Sequence, residues 1–256
     1  GAQVEEGRIY MATATFENNG SSNPGADFAV LNRILPSTNG NVVVMDGTVI
    51  SRIVDLSGGS SVAGGTVAFY SPTGLLVGGN ASFDVGNLIL TTLEPDLASF
   101  DAFTTAGGTL NLVGQTASVA QIRIESGAQI TASAENSYFA AVAAGVEMSG
   151  TSDVNGSQAF VAGELVNLTF SNGLFDIEVP VGTALSDPDT VISVNGDVGG
   201  PSSTGSGDNH LIYGVARAAA DPIRMLFSGN LGFDPAASAG VVNGEIILSA
   251  NFDVFG

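Results

Sequence analysis

Two stretches of the sequence resemble each other at an interval of 21 residues: Ser137-Tyr138-Phe139-Ala140-Ala141-Val142-Ala143-Ala144-Gly145 and Gln158-Ala159-Phe160-Val161-Ala162-Gly163-Glu164-Leu165. Both are rich in small and aliphatic residues. An interval of about 20 residues is typical of one coil of a parallel β-helix, a solenoid in which short strands and turns close a coil and the next coil stacks on it. The match is imperfect, so the repeat favours a β-helix while a β-sandwich stays open as the alternative.

Short strand-like runs occur along the rest of the chain, separated by Gly, Asn, Ser and Asp. In Gln121-Ile122-Arg123-Ile124-Glu125 the two Ile side chains share one face, as a half-buried strand requires. Helical patterns are few and short, such as residues 216–220. The sequence therefore predicts an all-β protein. The side chains expected to be buried are Ile122, Ile124, Phe175 and Ile177.

The amino-acid composition excludes several classes of enzyme. The 256 residues include no Cys, and all 6 basic residues are Arg. Without Lys, a P-loop, a Schiff-base enzyme and a kinase-type ATP site each lack a required residue. Without Cys, thiol nucleophiles and thiolate zinc sites are excluded. With His210 as its one histidine, the chain is expected to be no enzyme and to carry no cofactor.

The formal charge of -19 argues against anionic partners. A surface with this excess of carboxylates repels phosphate backbones and anionic lipid headgroups, so nucleic acid is not an expected ligand. No apolar run approaches the ~20 residues of a membrane-spanning helix. The first residues contain neither a basic nor an apolar region, which fits a mature or trimmed secreted chain better than an intact signal peptide.

Three segments carry a resemblance to a known family. Their order resembles the haemagglutination-activity, or two-partner-secretion, domain of filamentous haemagglutinin-like exoproteins of Gram-negative bacteria. The resemblance is strongest over residues 64–92 and weaker over residues 25–213. The segments are Ala29-Val30-Leu31-Asn32-Arg33-Ile34, Val67-Ala68-Phe69-Tyr70-Ser71-Pro72-Thr73-Gly74-Leu75-Leu76-Val77-Gly78 and Phe83-Asp84-Val85-Gly86-Asn87-Leu88-Ile89-Leu90-Thr91-Thr92.

The resemblance implies a right-handed, single-stranded parallel β-helix with extra-helical hairpins and loops. It also implies export through the periplasm and the outer membrane by a dedicated outer-membrane barrel transporter, often as part of a longer fibrous adhesin. The residues that match the family's secretion and turn motif are Asn32, Ser71, Pro72, Thr73 and Gly74.

The turn motif departs from the family's pattern at several positions. Ser71 and Thr73 stand where the family usually has Asn, and Val77 stands where it usually has Phe. Pro72 and Gly74 are kept, and because Pro fixes φ and Gly adopts positive φ, a tight turn is still expected. The side-chain amides that a transporter could recognise are absent.

Parallel β-helices also include polysaccharide lyases and hydrolases, which use paired carboxylates for acid–base chemistry. This is the alternative function, and three acidic groups are candidates for its catalytic carboxylates. The Asp187 and Asp189 pair is also a weak calcium candidate, although a solvated turn is the simpler interpretation because calcium takes about 6 oxygen ligands. The three groups are Glu94-Pro95-Asp96, Asp187-Pro188-Asp189 and Asp208-Asn209-His210.

The chain is expected to have three parts. Residues 1–193 form a β-helix of the two-partner-secretion type, residues 194–210 a Gly/Ser/Asp-rich surface loop, and residues 211–256 a C-terminal β region that continues the stack. The apolar run near the C terminus lacks Pro and Lys, so it predicts an assembly edge at which copies add head to tail into fibres. The predicted edge residues are Ile246, Ile247, Leu248, Phe252 and Phe255.

Together these features predict a secreted, non-enzymatic surface protein of a Gram-negative bacterium, adhesin-like or filament-forming. Its expected location is extracellular, at the cell surface. Its expected partners are the outer-membrane transporter during export and further copies of the same chain.

Overall fold

A computed structural model describes residues 2–5, 8–11, 13–18, 27–35, 40–54, 61–185, 190–205, 207–220, 222–234, 238–242 and 245–249. For residues 2–11, 234 and beyond, only the backbone is described. The described residues form parallel sheets and one helix, which confirms the prediction of an all-β protein.

The strands before the helix are Ala2–Glu5 (β1), Arg8–Met11 (β2), Thr13–Asn18 (β3), Ala29–Arg33 (β4), Val43–Met45 (β5), Thr48–Val54 (β6), Ser61–Ala63 (β7), Thr66–Tyr70 (β8), Leu75–Val77 (β9), Ser82–Asp84 (β10), Asn87–Thr91 (β11) and Glu94–Pro95 (β12). The helix is Leu97–Ala106 (α1). The strands after it are Thr109–Val113 (β13), Gln121–Ile124 (β14), Gln129–Ala143 (β15), Gly145–Met148 (β16), Thr151–Ala162 (β17), Leu165–Ser171 (β18), Leu174–Val181 (β19), Thr190–Val194 (β20), Asp197–Pro201 (β21), Ile212–Ala216 (β22), Arg224–Phe227 (β23), Asn230–Asp234 (β24), Ser238–Val242 (β25) and Glu245–Ser249 (β26).

Parallel pairing organises most strands into three ladders. The first ladder has the order β5-β9-β14-β16-β20-β23. The second has the order β3-β6-β10-β15-β17-β21-β24, using the N-terminal halves of β15 and β17. The third has the order β4-β8-β11-β15-β17-β22, using their C-terminal halves. From β5 to β24 the ladder strands occur along the chain in the repeating order first, second, third.

The register between β15 and β17 differs from the one that the repeated sequence predicts. The repeat would place Ser137 beside Gln158, but the structure pairs Ser137 with Gly156 and Phe139 with Gln158. An irregularity in β15 between Ala132 and Ser137 absorbs the difference. Because the shift is two residues, each side chain keeps its face of the sheet. The Phe139 and Phe160 rings therefore still meet inside, with centroids 5.8 Å apart.

The hydrophobic core has two parts. The inner cluster lies between the three ladders, and Ile122 and Ile124 are buried in it as predicted. Its largest fully buried side chains include Phe69, Phe83, Phe139 and Phe160.

The outer cluster lies between the third ladder and a covering layer, which consists of α1 and the antiparallel sheet β12-β13-β18-β19. Phe175 is buried as predicted, but in this outer cluster, whereas Ile177 is only partly buried at its margin. Because the covering layer buries the outer face of β8, all five of that strand's residues are buried.

The helix is not where the sequence pattern suggested one. Residues 216–220 end β22 and continue as a bridge and bends, so that expectation is wrong. The helix α1 begins after Asp96, whose carboxylate accepts a hydrogen bond from the Ser99 backbone N–H at 2.8 Å. It ends at Gly107, which has a left-handed φ of 64°. An acidic N-cap and a glycine C-cap are ordinary helix signals.

The C-terminal third departs from the expected division in two places. Within residues 194–210, expected to be a loop, Asp197–Pro201 forms β21 and pairs with β17 and β24. Gly199 permits this pairing because a Cβ there would lie 1.9 Å from the Gly232 carbonyl oxygen. Beyond residue 211, β22, β23 and β24 extend the three ladders, whereas β25 and β26 pair with each other antiparallel.

Candidate functional site

The predicted turn motif connects β8 to β9. The Gly74 N–H donates to the Ser71 carbonyl oxygen at 3.4 Å, and Gly74 has a φ of 110°. The Ser71 hydroxyl is buried and lies 3.2 Å from the Thr73 hydroxyl, which donates to the Asn41 carbonyl oxygen at 2.8 Å. The two side chains at the family's Asn positions therefore hold the turn together and do not project from it.

Asn32 lies in β4, which pairs with β8 just before the turn. Its side-chain amide donates to the Ala68 carbonyl oxygen at 3.1 Å and is partly buried. The motif residues thus occupy one corner of the fold, where Asn32 joins two strands and Ser71 to Gly74 reverse the chain. These contacts hold the corner together. For a role in export, a transporter would also need an exposed surface next to the corner to contact.

A shallow cleft of about 600 Å³ lies beside this turn, and we call it the turn cleft. Pro72 and Thr73 form one side, and the segment with Val119 forms the other. Val119 is 62% exposed, so the rim carries an exposed apolar side chain. Arg123, also on the rim, is paired with Glu147 at 2.9 Å.

Asp208 and His210 form a buried pair in the loop between β21 and β22. His210 Nε2 lies 2.7 Å from Asp208 Oδ1, and His210 Nδ1 lies 2.7 Å from the Pro201 carbonyl oxygen. Both ring nitrogens are therefore engaged, one by a carboxylate oxygen and the other by a backbone carbonyl oxygen. With a side chain that is 0% exposed and no free ring nitrogen, His210 has no means of acting on a substrate.

Asp208 is held as an anion by its other partners. Burial alone would raise the pKa of Asp208, but hydrogen bonds from the Thr204 backbone and hydroxyl, together with the His210 hydrogen bond and charge, lower it below its usual range. The Thr204 N–H and hydroxyl donate to Asp208 Oδ2 at 2.7 and 3.0 Å. The pair therefore fastens the loop.

The other acidic candidates do not meet in one place. Glu94 forms an ion pair with Arg33, while Asp96 caps α1. Asp187 and Asp189 lie outside the described residues. Within the part of the chain that the structure describes, no group of three or more His, Cys, Asp and Glu side chains could hold a metal ion.

A second depression lies on the outer face of the second ladder, and the sequence analysis missed it. We call it the sheet groove; it encloses about 800 Å³ across β15, β17, β21 and β24. Register places three rows of residues side by side across these strands. The middle row is Thr131, Asp153, Gly199 and Gly232, one flanking row is Thr151, Asp197 and Asn230, and the other side has Ser133, Asn155 and Pro201.

The groove exists because two positions in the middle row are glycines, which have no side chain. Thr131 and Asp153 fill the row on β15 and β17, whereas Gly199 and Gly232 leave it empty on β21 and β24. A Cβ at Gly232 would meet no atom within 4 Å. Residues at equal positions in successive strands could have revealed this row, but only with the correct register, which the irregular intervals between strands conceal.

The predicted assembly edge lies near the C terminus, partly outside the described residues. Phe252 and Phe255 lie outside the described residues, and Ile246, Ile247 and Leu248 lie in β26, which pairs with β25. Exposed apolar side chains instead mark β23, the last strand of the first ladder, where Met225, Leu226 and Phe227 are 41–47% exposed.

No helix in the described residues has the length and apolar character needed to cross a membrane. No protein-family model matches the chain, and a search of curated proteins finds no match.

Proposed function

We propose that the chain is a right-handed, single-stranded parallel β-helix that acts as an exported, non-enzymatic binding module of the adhesin type on a Gram-negative bacterial surface. The observation that carries the proposal is the order of the strands: from β5 to β24 the chain adds a strand to the first, the second and the third parallel ladder in turn. Such a stack offers long, regular faces on which polar side chains line up, which suits binding along a surface.

The positions of the carboxylates support binding over catalysis. Glu94 forms an ion pair with an arginine, and Asp96 caps the N-terminus of a helix. Asp208 pairs with a buried histidine. A carboxylate used in this way is not free to exchange protons with a substrate.

The alternative, a β-helical polysaccharide lyase or hydrolase, is favoured by one feature. Asp153 and Asp197 both line the sheet groove, as diagonal neighbours on adjacent strands. None of the groove's lining residues is basic, however, and a lyase needs a cationic group to handle an acidic sugar. This lining argues against a lyase, and the bead assay below tests for a hydrolase that uses the two carboxylates.

Export through an outer-membrane barrel transporter belongs to the same proposal. The turn cleft gives the motif corner an exposed apolar surface, at which Pro72 and Val119 are accessible. The turn offers no asparagine side chains for a transporter to recognise, so a transporter that binds here would have to contact this apolar surface.

A bead assay tests the proposed function. Beads coated with the folded chain should attach to mucin-coated or polysaccharide-coated surfaces in larger numbers than beads coated with denatured chain, and the surfaces should gain no new reducing ends. Release of reducing ends that is abolished by Asp153→Asn or Asp197→Asn would establish the enzyme instead. Attachment no greater than that of denatured chain on every surface would contradict the adhesin.

A further inference from the structure

The sheet groove has the shape of a channel that crosses the strands. Four strands contribute to it, so its length is about 14 Å at the usual spacing between strands. The two flanking rows lie four residues apart along each strand, which separates their Cα atoms by about 13 Å. A volume of about 800 Å³ lies within the range of pockets that hold small ligands. The channel therefore fits an extended chain a few units long.

The groups in the channel require a ligand with hydrogen-bond donors. Carboxylates such as Asp153 and Asp197 only accept hydrogen bonds. Asp197 Oδ1 already accepts from the Asn230 amide at 2.7 Å, and the Asn155 amide donates to the Ser133 carbonyl oxygen at 3.3 Å. The remaining capacity consists of carboxylate oxygens, amide oxygens and hydroxyls, and it matches a ligand that is rich in hydroxyl groups.

The charge of the channel excludes an acidic ligand. None of its lining residues is basic, and the whole chain has a formal charge of -19. An anionic polysaccharide would be repelled by Asp153 and Asp197. Most of the polar side chains in the channel are nevertheless neutral, so it does not have the acidic lining that favours a polycation.

The backbone argues against a peptide. Strands β17 and β21 are each paired on both sides, so their N–H and C=O groups are already engaged. A peptide that binds by adding a strand needs an open sheet edge, which the floor of this channel does not offer.

We propose that the sheet groove binds an uncharged, linear oligosaccharide, through its hydroxyl groups, on Asp153, Asp197 and the neighbouring hydroxyl and amide side chains. This inference rests on the adhesin-type function proposed above and names the class of its ligand. The sugar chain lies across the strands and over Gly232, where the missing side chain leaves room for its rings.

Calorimetric titration with defined tetrasaccharides tests the proposal. The probes are neutral tetrasaccharides of glucose, mannose and galactose, with tetragalacturonate as the anionic counterpart and tetralysine as the cationic peptide. The proteins are the unaltered chain, Asp153→Ala, Asp197→Ala and the matched control Asp101→Ala, which removes an exposed carboxylate from α1. Because all three aspartates are exposed, circular dichroism should show the same fold in each variant.

We expect at least one neutral tetrasaccharide to bind without being cleaved. Asp153→Ala and Asp197→Ala should each lower the affinity for this tetrasaccharide about tenfold or more, the usual effect of losing hydrogen bonds to a charged group. Asp101→Ala should leave the affinity unchanged. Equal affinity in the groove variants would overturn the site, and stronger binding of tetragalacturonate or tetralysine would overturn the ligand class.

The outcome also separates this inference from the function beneath it. If coated beads attach but no neutral tetrasaccharide binds, the inference is wrong while the adhesin stands. If a tetrasaccharide binds in the groove and is cleaved there, the site stands while the non-enzymatic function is wrong.

Discussion

His210 shows how a residue type that invites a catalytic interpretation can be purely structural. As the one histidine of the chain it was the only candidate for a catalytic imidazole. Pro201 and Asp208 occupy its two ring nitrogens, and Thr204 occupies the other carboxylate oxygen of Asp208. The sequence shows that Asp208 is close to His210, but it does not show that the Pro201 carbonyl oxygen, nine residues away, contacts the other ring nitrogen.

Breaking this pair should cost far more stability than breaking an exposed one. Asp208→Asn removes the carboxylate from a buried, hydrogen-bonded pair, and breaking such a pair typically costs about 3–5 kcal/mol of unfolding free energy. Glu147→Gln, which breaks the exposed pair with Arg123, should cost less than about 1 kcal/mol. Urea denaturation of both variants measures the difference, and equal losses would show that Asp208 is not buried with His210.

The same pair should make stability depend on pH in the acidic range. The pKa of Asp208 is lowered by folding, so its contribution is complete above the ordinary carboxyl pKa of about 3.9 and is lost as the pH falls through the lowered value. Between about pH 6 and about pH 3, the unaltered chain should therefore lose more unfolding free energy than Asp208→Asn. Urea midpoints at the two pH values test this, and an equal or larger loss in the variant would contradict it.

At the scale of elements, strands with clear alternation could be predicted and irregular insertions could not. Ile122 and Ile124 point inward because β14 alternates strictly. The irregularity in β15 includes Asn136, whose φ of 57° is unusual for a residue other than glycine, and no pattern of apolar residues signals it. The offset between β15 and β17 is 22 residues at Ala132–Val154 and 19 residues at Ser137–Gly156, so the 21-residue repeat in the sequence fits neither part.

The helix α1 should depend measurably on its N-cap. Asp96→Ala removes the acceptor for the Ser99 N–H and should cost about 1 kcal/mol of unfolding free energy. Asp101→Ala, an exposed change inside the same helix, should alter it by less than about 0.5 kcal/mol. Thermal or urea unfolding distinguishes the two, and a loss in Asp96→Ala no larger than in the control would mean that this cap does not stabilise the fold.

At the scale of the whole molecule, the first ladder predicts self-association, because among the described strands nothing pairs with the outer edge of β23. Met225 and Phe227 pair with the inward-facing Ile192 and Val194, yet both stay more than 40% exposed. A further strand from a second copy would bury them, and such head-to-tail addition gives filaments. The edge in β26 stays a prediction, and β23 is an edge that the described side chains support.

Leu226→Lys tests this edge, because a charge on an edge strand discourages pairing. The variant should sediment as a monomer at concentrations where the unaltered chain associates. Ser193→Lys makes the same change in charge on the neighbouring strand β20, inside the ladder, and should leave association in place. A chain that stays monomeric at high concentration would contradict the edge, as would equal association of the two variants.

The fold class and the turn motif could be predicted from composition and local pattern, but the sheet groove could not. Its rows join Thr131, Asp153, Gly199 and Gly232 across 101 residues of sequence, the difference between positions 131 and 232. The hairpin β18–β19 interrupts the repeat between these positions. Only the parallel register brings the four residues into one line.

Distances between spin labels along the second ladder test the central claim, that the strands stack in parallel order. The chain has no Cys, so pairs can be introduced freely at positions that register aligns: Thr48 with Thr151, Asp197 or Asn230. Three, four and five strand spacings separate these pairs, so the distances should rise in steps of about 4.8 Å, from about 14 to about 24 Å. A distance from Thr48 to Asn230 no longer than that to Thr151 would contradict the stack and every proposal that rests on it.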